Sequence, residues 1–468
     1  MLDKAAAVAR ASDLVDRARR AGADTADAVF LANASQAIQV RLGQLEEAER
    51  SESEHIALRV FCGKRNASIG SSDLSSAALD ELAERAVAMA RAAPEDAFAG
   101  LAPAEMLAQG PFPDLGLADE GEPGPALLRE DAEAAEAAAR AIPGVTNSEG
   151  ATAGTTRSVF ALATSHGFAD GYASSSHSVS AVVVGGEGNA KQRDYAWRQT
   201  RFRDDLPAPA EIGELAGTRA VAKVDPARLR SGPMPIILSP RVGGTMVGHL
   251  LGAITGNAIA RRSSFLLDKR DEQIFAPGFA ILDNPHMVRG LRSRPFDGEG
   301  LATGPRAIIE DGYLTGWLMD SAAARQLDSA PTGHASRGGG GSPSVSASNV
   351  HVAAGEDSPE ALMADIADGV YVTELFGQGV NGVTGDYSRG ASGFRIVNGE
   401  IAGPVAEFTV AGNLLKMFAN LRAANDLEWF RPINVPTMRI DGMTVAGGES
   451  GVPTRTGRER TNVRVPSR

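Results

Sequence analysis

The stretch Phe394-Arg395-Ile396-Val397-Asn398-Gly399-Glu400-Ile401-Ala402 decides how the second half of the chain folds. Apolar residues alternate up to Asn-Gly and resume after it. Both central residues of a type I′ turn need positive φ, which Asn and Gly tolerate, so the spacing predicts a tight β-hairpin. Asp311-Gly312 repeats the signal between Ala307-Ile308-Ile309 and Leu314-Thr315-Gly316-Trp317-Leu318. Around these hairpins the residues from 231 to 446 read as a β-rich domain with inserted helices. Helices are predicted over 240–260, over 358–367 with Ser358 as N-cap and Pro359 at N1, and over 412–424 with Leu414, Leu415, Phe418 and Leu421 along one side.

Upstream, residues 1–125 form an α+β block. Leu14, Val15 and Ala18 give a first helix its buried stripe. Strand-like runs follow at 28–32 and 37–42. Ile56, Leu58 and Val60 alternate inward before a turn at 63–66, and Ala67 and Ile69 return. Leu79, Leu82, Ala83, Ala86, Val87 and Ala90 recur at helical spacing. Residues 93–125, rich in Pro, Gly and acids, read as a long connection or a lid. A middle α/β segment, 126–230, begins with an alanine-rich helix ending at Pro143-Gly144. Strands are predicted at 158–164, 178–184 and 194–200, with a helix over 210–221. Residues 447–468 carry Arg455, Arg458, Arg460, Arg464 and Arg468 and read as a solvated basic tail. The fold class is α+β: an N-terminal helix and antiparallel-sheet region, then a β-rich C-terminal domain.

Charge and composition exclude several functions. Of 468 residues, 58 are acidic and 46 basic, a net charge of −12, which disfavours a nucleic-acid surface. Aromatic residues are only 5% of the chain, too few for a base-stacking platform. Cys62 is the single cysteine, so neither an internal disulfide nor a cysteine-based zinc cluster can be built. No run approaches the ~18 apolar residues that span a bilayer. A cytoplasmic protein is expected.

The seven histidines include no His-Glu-x-x-His pair. His249 lies mid-helix among Gly243, Gly244, Gly248, Gly252 and Gly256. Each helical glycine costs up to ~1 kcal/mol relative to alanine, so such a run predicts close approach by another backbone. A lone helical histidine is most often a hydrogen-bonded structural residue. Arg337-Gly338-Gly339-Gly340-Gly341-Ser342 lacks the lysine of a P-loop and reads as a flexible loop. No serine sits in a G-x-S-x-G elbow. Taken alone, these residues leave the chemistry open.

A set of motifs narrows it. Leu238-Ser239-Pro240-Arg241 leads into Gly248-His249-Leu250-Leu251-Gly252-Ala253. Ala260-Arg261-Arg262-Ser263-Ser264-Phe265-Leu266 and Ser293-Arg294-Pro295-Phe296-Asp297-Gly298-Glu299-Gly300 follow. Then come Pro331-Thr332-Gly333-His334-Ala335, the run from Asn381-Gly382-Val383-Thr384-Gly385-Asp386 to Tyr387-Ser388-Arg389-Gly390, and Val410-Ala411-Gly412-Asn413-Leu414-Leu415. Together they resemble the TldD/PmbA family, once called modulators of DNA gyrase, and within it the TldE (PmbA) branch.

In that family the TldD subunit carries His-Glu-x-x-x-His, with zinc held by both histidines and a distant cysteine and the glutamate as general base. Laid on this chain through the shared Gly-His, the six positions read Gly244-Thr245-Met246-Val247-Gly248-His249. The resemblance therefore implies no catalytic or metal site in this chain, with zinc expected in a TldD-like partner. It implies a metalloprotease complex acting on small or unfolded peptides, and a homodimer when the chain is alone. Gly248, His249, Gly252 and Arg261 are the candidates for peptide binding or interface, and the loops around Gly338 and Gly385 for the border of a shared chamber. Two other readings remain: a stand-alone peptide- or protein-binding module, or an active metallopeptidase with a relocated site joining His249 to His286, His334 or an aspartate.

Overall fold

The computed structural model describes residues 3–448. The arginine-rich tail, beyond its first two residues, lies outside them.

The first half opens with α1 (Lys4–Arg20), β1 (Thr25–Arg41), β2 (Gln44–Cys62), β3 (Arg65–Ser71) and α2 (Ser76–Ala92). After a connection come α3 (Pro125–Ala141), β4 (Val145–Thr164), β5 (Ala169–Gly185), β6 (Gln192–Thr200) and α4 (Pro209–Ala222). All six strands join one antiparallel sheet in the order β3-β2-β1-β4-β5-β6. β1 is therefore central, with β2 on one edge and β4 on the other. The blocks 1–125 and 126–230 share this sheet. Helices α1 and α2 cover one end, against Phe30, Ile56, Leu58 and Val60. Helices α3 and α4 cover the other, against Ile38, Val40, Val179 and Val183. α3 and α4 touch backbone to backbone: a Cβ on Gly213 would lie 2.0 Å from the Ala135 carbonyl oxygen.

The second half runs β7 (Gly232–Leu238), α5 (Pro240–Ala253), α6 (Gly256–Ala260), β8 (Ile281–Asp283), β9 (Arg306–Glu310), β10 (Tyr313–Leu314), α7 (Ser321–Gln326), β11 (Ala335–Arg337), β12 (Pro343–Val345) and β13 (Val350–Val352). It continues with α8 (Pro359–Met363), β14 (Asp368–Phe376), β15 (Asp386–Val397), β16 (Glu400–Asn413), α9 (Leu414–Ala419), β17 (Leu421–Ala423), β18 (Ile433–Asn434) and β19 (Met438–Ala446). Strands β16-β15-β14-β7-β19 form a sheet that closes on itself where Val410 of β16 pairs with Val445 of β19. Closure removes the exposed sheet edges. Along β7, Ile236 and Leu238 enter the main core, while Ile237 faces outward onto Met363, Ile366 and Phe394. α5 lays Val242, Met246, Val247 and Leu250 on the main core.

The α+β class holds, and both hairpin turns are as the sequence reads. Val397 pairs with Glu400 across Asn398 (φ 49°) and Gly399 (φ 81°). Glu310 pairs with Tyr313 across Asp311 (φ 50°) and Gly312 (φ 84°). Element lengths differ in several places. The runs at 28–32 and 37–42 are one continuous strand, β1, because β2 and β4 pair it along its whole length. The helix expected over 240–260 breaks at Ile254-Thr255, where Thr255 caps α6. The helix expected over 358–367 keeps Ser358 and Pro359 in their roles but ends at Met363. The one expected over 412–424 is only α9. Gly412 still pairs with Tyr387 in the barrel wall, and Leu421 pairs with Ile440.

Candidate functional site

Ser239 and Pro240 start α5, and the helix carries the residues singled out by sequence. Its glycines divide between two environments. A Cβ on Gly243 would meet Met438 Cε at 2.6 Å, and one on Gly256, in α6, would meet Ala323 at 2.7 Å. These two are the close packings the glycine run predicts. Gly248 and Gly252, by contrast, have nothing within 4 Å of an added Cβ. Of the two approaches a glycine face allows, packing on the body of the protein or against a bound strand, Gly248 does not make the first: it lines an open face of α5. Arg261 is exposed at the end of α6.

His249 is half-buried, its ring edge-on to Tyr387 of β15 with centroids 5.9 Å apart. Its Nε2 is enclosed and has no hydrogen-bond partner among the described residues. Burial, and then the charge of Arg389, push its pKa down, so the imidazole is neutral at pH 7. Burial also pushes the Tyr387 hydroxyl up to about 12. Thr245 Oγ1 donates to the Val242 carbonyl oxygen at 2.7 Å, a turn of its own helix. Gly244 offers no side chain and faces Ile433. Zinc needs about three protein ligands and an open position for water. Gly244, Thr245 and His249 do not fit that requirement, and no three His, Cys, Asp or Glu side chains are grouped as metal ligands among the described residues. Cys62 belongs to the N-terminal sheet, its Sγ 4.0 Å from the Gly22 carbonyl oxygen. His286 contacts Thr303, and His334 sits between Asp283 and Thr332, so neither joins His249.

The sequence motifs gather in two places. At the end of α6, Phe265 N donates to the Gly382 carbonyl oxygen, Asn413 Nδ2 to that of Thr384, and Leu414 N to that of Gly385. The stretches around Phe265, Asn381–Asp386 and Asn413 thus form one hydrogen-bonded corner, with Phe376 and Val383 exposed nearby in the chain. The second gathering joins the two halves of the molecule. Asp27 of β1 receives Arg59 Nη2 at 2.5 Å and Arg337 Nη2 at 2.8 Å, and Arg59 also reaches Glu299 at 3.5 Å. All four are buried. The glycine loop after Arg337 lies on the same N-terminal sheet: the Gly339 carbonyl oxygen is 2.7 Å from His55 Nε2, and Ser342 Oγ donates to Ser68 Oγ. The loop around Gly338 thus rests on the N-terminal sheet, while that around Gly385 belongs to the corner with Phe265 and Asn413. The sequence motifs contain Glu299, and the glycine run opens on Arg337, but their pairing with Asp27 and Arg59 is not legible there, since the members lie up to 310 positions apart.

Asp297 sits beside that cluster and accepts hydrogen bonds from the backbone N–H groups of Glu299, Leu301 and Ala335. Burial, reinforced by Glu299, pushes its carboxyl up to about 7. An unfolded aspartate titrates near ~4, so between about pH 4 and 7 the native state holds this proton more tightly than the unfolded chain. Asp297 thus weakens the fold as pH rises through that window. Comparing melting temperatures at about pH 5.5 and 7.5, the decline is expected to be shallower in Asp297→Asn than in the parent. Equal slopes would show that Asp297 plays no part.

Comparison with known proteins places this architecture. Its three segments match family profiles described as PmbA/TldA metallopeptidase domain 1 (residues 26–90), central domain (118–224) and C-terminal domain (231–447). These profiles define a three-segment protein of metallopeptidase ancestry. The chain belongs to the PmbA/TldD family. Metalloprotease PmbA of Escherichia coli O157:H7 is 37% identical over 412 residues, covering 88% of this chain and 89% of that protein. A PmbA homologue of Haemophilus influenzae is 35% identical over 435 residues, covering 92% and 94%. Among solved structures, a Bacteroides thetaiotaomicron protein described as a modulator of DNA gyrase superposes with a TM-score of 0.87 at 25% identity, covering 94% of this chain and 98% of its own. TldE from Thermococcus kodakarensis shares the fold, with a TM-score of 0.83 at 20% identity over 94% and 100% of the two chains. No helix among the described residues is long and apolar enough to cross a membrane.

Proposed function

We propose that this chain is a TldE-type subunit without a hydrolytic zinc centre of its own, which works with a TldD-like metalloprotease partner on small or unfolded peptides in the cytoplasm. The observation that carries the reading is the chemistry of α5. Glycine and threonine stand where a ligand and a base would be needed, Thr245 is tied to its own helix, and His249 is neutral and enclosed beside Tyr387. The open face at Gly248 and Gly252 supports a docking role, since an extended backbone can approach a helix most closely where side chains are missing. Arg261, exposed at the end of α6, is the charged candidate for the same surface. Zinc is assigned to the partner. Without that partner, a homodimer is expected.

The test mixes this chain with the TldD-like protein encoded in the same genome, and follows mass and peptidase activity together. A heteromer is expected, with activity well above that of the partner alone, while the isolated chain holds no stoichiometric zinc. Partner activity that is the same with and without this chain, and no complex at about micromolar concentration, would sink the proposal. So would one zinc per isolated chain that is lost on His249→Ala.

A further inference from the structure

A narrow cleft of about 50 Å3, open to solvent at its mouth, lies where β6 and the end of α4 meet the start of α5 and β14. Five cations, Arg198, Arg219, Lys223, Arg241 and Arg431, gather there with three carboxylates, Asp194, Glu374 and Glu428. Lys223 is paired with Asp194 at 2.7 Å and Glu374 at 2.8 Å, and Arg241 with the same two at 2.5 and 3.5 Å. Arg198 lies over the Phe430 ring and feels the charge of Glu428. Arg219 and Arg431 are left over. Among the described residues no carboxylate oxygen is within ion-pairing distance of either. Arg219, among the described residues, hydrogen-bonds the Tyr195 carbonyl oxygen, at 3.5 Å, and feels the charge of Asp194 at longer range. Arg431 lies over Trp197 and Phe430, with its Nε unpartnered.

Two hydroxyls line the same cleft without a hydrogen-bond partner among the described residues. They belong to Ser239, 5% exposed, and Thr373, 8% exposed. Ser239 is the N-cap of the 14-residue α5, yet its side chain makes no capping bond. The positive end of that helix dipole therefore opens on the cleft with a donor to spare. Burying the two hydroxyls, and half-burying the two cations, without partners costs free energy that a bound anion would return. The rest of the wall is apolar, formed by Phe394, Tyr371 and Phe430.

We infer that this cleft binds a small organic anion, a carboxylate or phosphate carried on an apolar body, with Arg219 and Arg431 as its charge partners and the Ser239 and Thr373 hydroxyls as donors. The apolar wall receives the body of the ligand. The site is separate from the open face of α5, and it stands whether or not the chain serves a peptidase.

Calorimetric titration of the full chain tests it, with N-acetylphenylalanine and phenyl phosphate as charged probes and N-acetylphenylalaninamide as the neutral control. Saturable binding of one equivalent of either charged probe is expected, and none of the amide. Binding of the acid alone points to a carboxylate ligand, and binding of the phosphate ester alone to a phosphate ligand. Arg219→Met should weaken binding at least tenfold, because a charge-assisted hydrogen bond is lost. It should leave the melting temperature of the free chain unchanged or slightly higher, because a half-buried charge with no carboxylate in ion-pairing contact has been removed. Ser239→Ala provides a second, milder loss. No binding of a charged probe up to about 10 mM, equal binding of the amide, or an Arg219→Met chain that melts several degrees lower would overturn the inference.

Discussion

Replacing Asp27 by alanine lowers the stability of the folded chain by about 3–5 kcal/mol, the usual result of removing one member of a buried ion cluster. Asp27 is 1% exposed and is the counter-ion that Arg59 and Arg337 share. Without it, Arg59 keeps only the longer contact to Glu299, and Arg337, whose Nε and Nη1 already lack partners, keeps no ion pair. The acid limb follows from the same geometry. Burial alone would raise the Asp27 carboxyl, but the two guanidinium groups outweigh it and hold the carboxyl below its ordinary value. Its contribution is therefore complete above the ordinary carboxylate pKa and disappears as pH falls through the depressed native one. Thermal or denaturant unfolding of Asp27→Ala should show the loss near neutral pH and a smaller difference from the parent in acid. A change of less than about 1 kcal/mol near pH 7 would mean that the cluster is not holding the halves together.

Gly248→Leu should reduce partner activation at least tenfold while leaving the melting temperature of the chain unchanged or slightly raised. Leucine is the better helix former by up to ~1 kcal/mol, and no atom lies within 4 Å of the new Cβ to oppose it. A side chain there fills the space in which a strand or a partner would lie. Gly243→Leu is the informative contrast. It drives into Met438 and Val435, so it should damage folding, by the ~1–3 kcal/mol of ordinary overpacking. If Gly248→Leu unfolds the chain, the open face is not open; if the variant activates the partner fully, nothing docks there.

Legibility in the sequence followed the range of the physics involved. Asn398-Gly399 and Asp311-Gly312 were readable because a type I′ turn is set by two adjacent residues. Ser358-Pro359 was readable as a helix start for the same reason. The stretch from Gly412 to Leu421 was misjudged because its apolar spacing suits a helix, whereas partners in β15 and β19 hold both of its ends as strand. Propensity yields to pairing there. For the candidate site, the motifs located His249 and its neighbours, and Tyr387 and Arg389 stood within one of them. Which glycines pack and which stay open could not be read, since that depends on Met438, Val435 and Ala323 arriving from elsewhere. The ion cluster and the cationic cleft are likewise products of assembly.

The central place of β1 in its sheet bears on how the chain is made. Residues 25–41 find β2 almost at once, but the other edge waits for β4, more than a hundred residues further along. On a ribosome adding roughly 5–20 residues per second, that edge stays unpaired for several seconds of synthesis. The first block alone presents fourteen residues of open strand, from Asp27 to Val40, to any other nascent chain within reach. A stop after residue 125 would leave a sticky fragment in place of a small domain, so cotranslational chaperones should find their earliest contact on this strand.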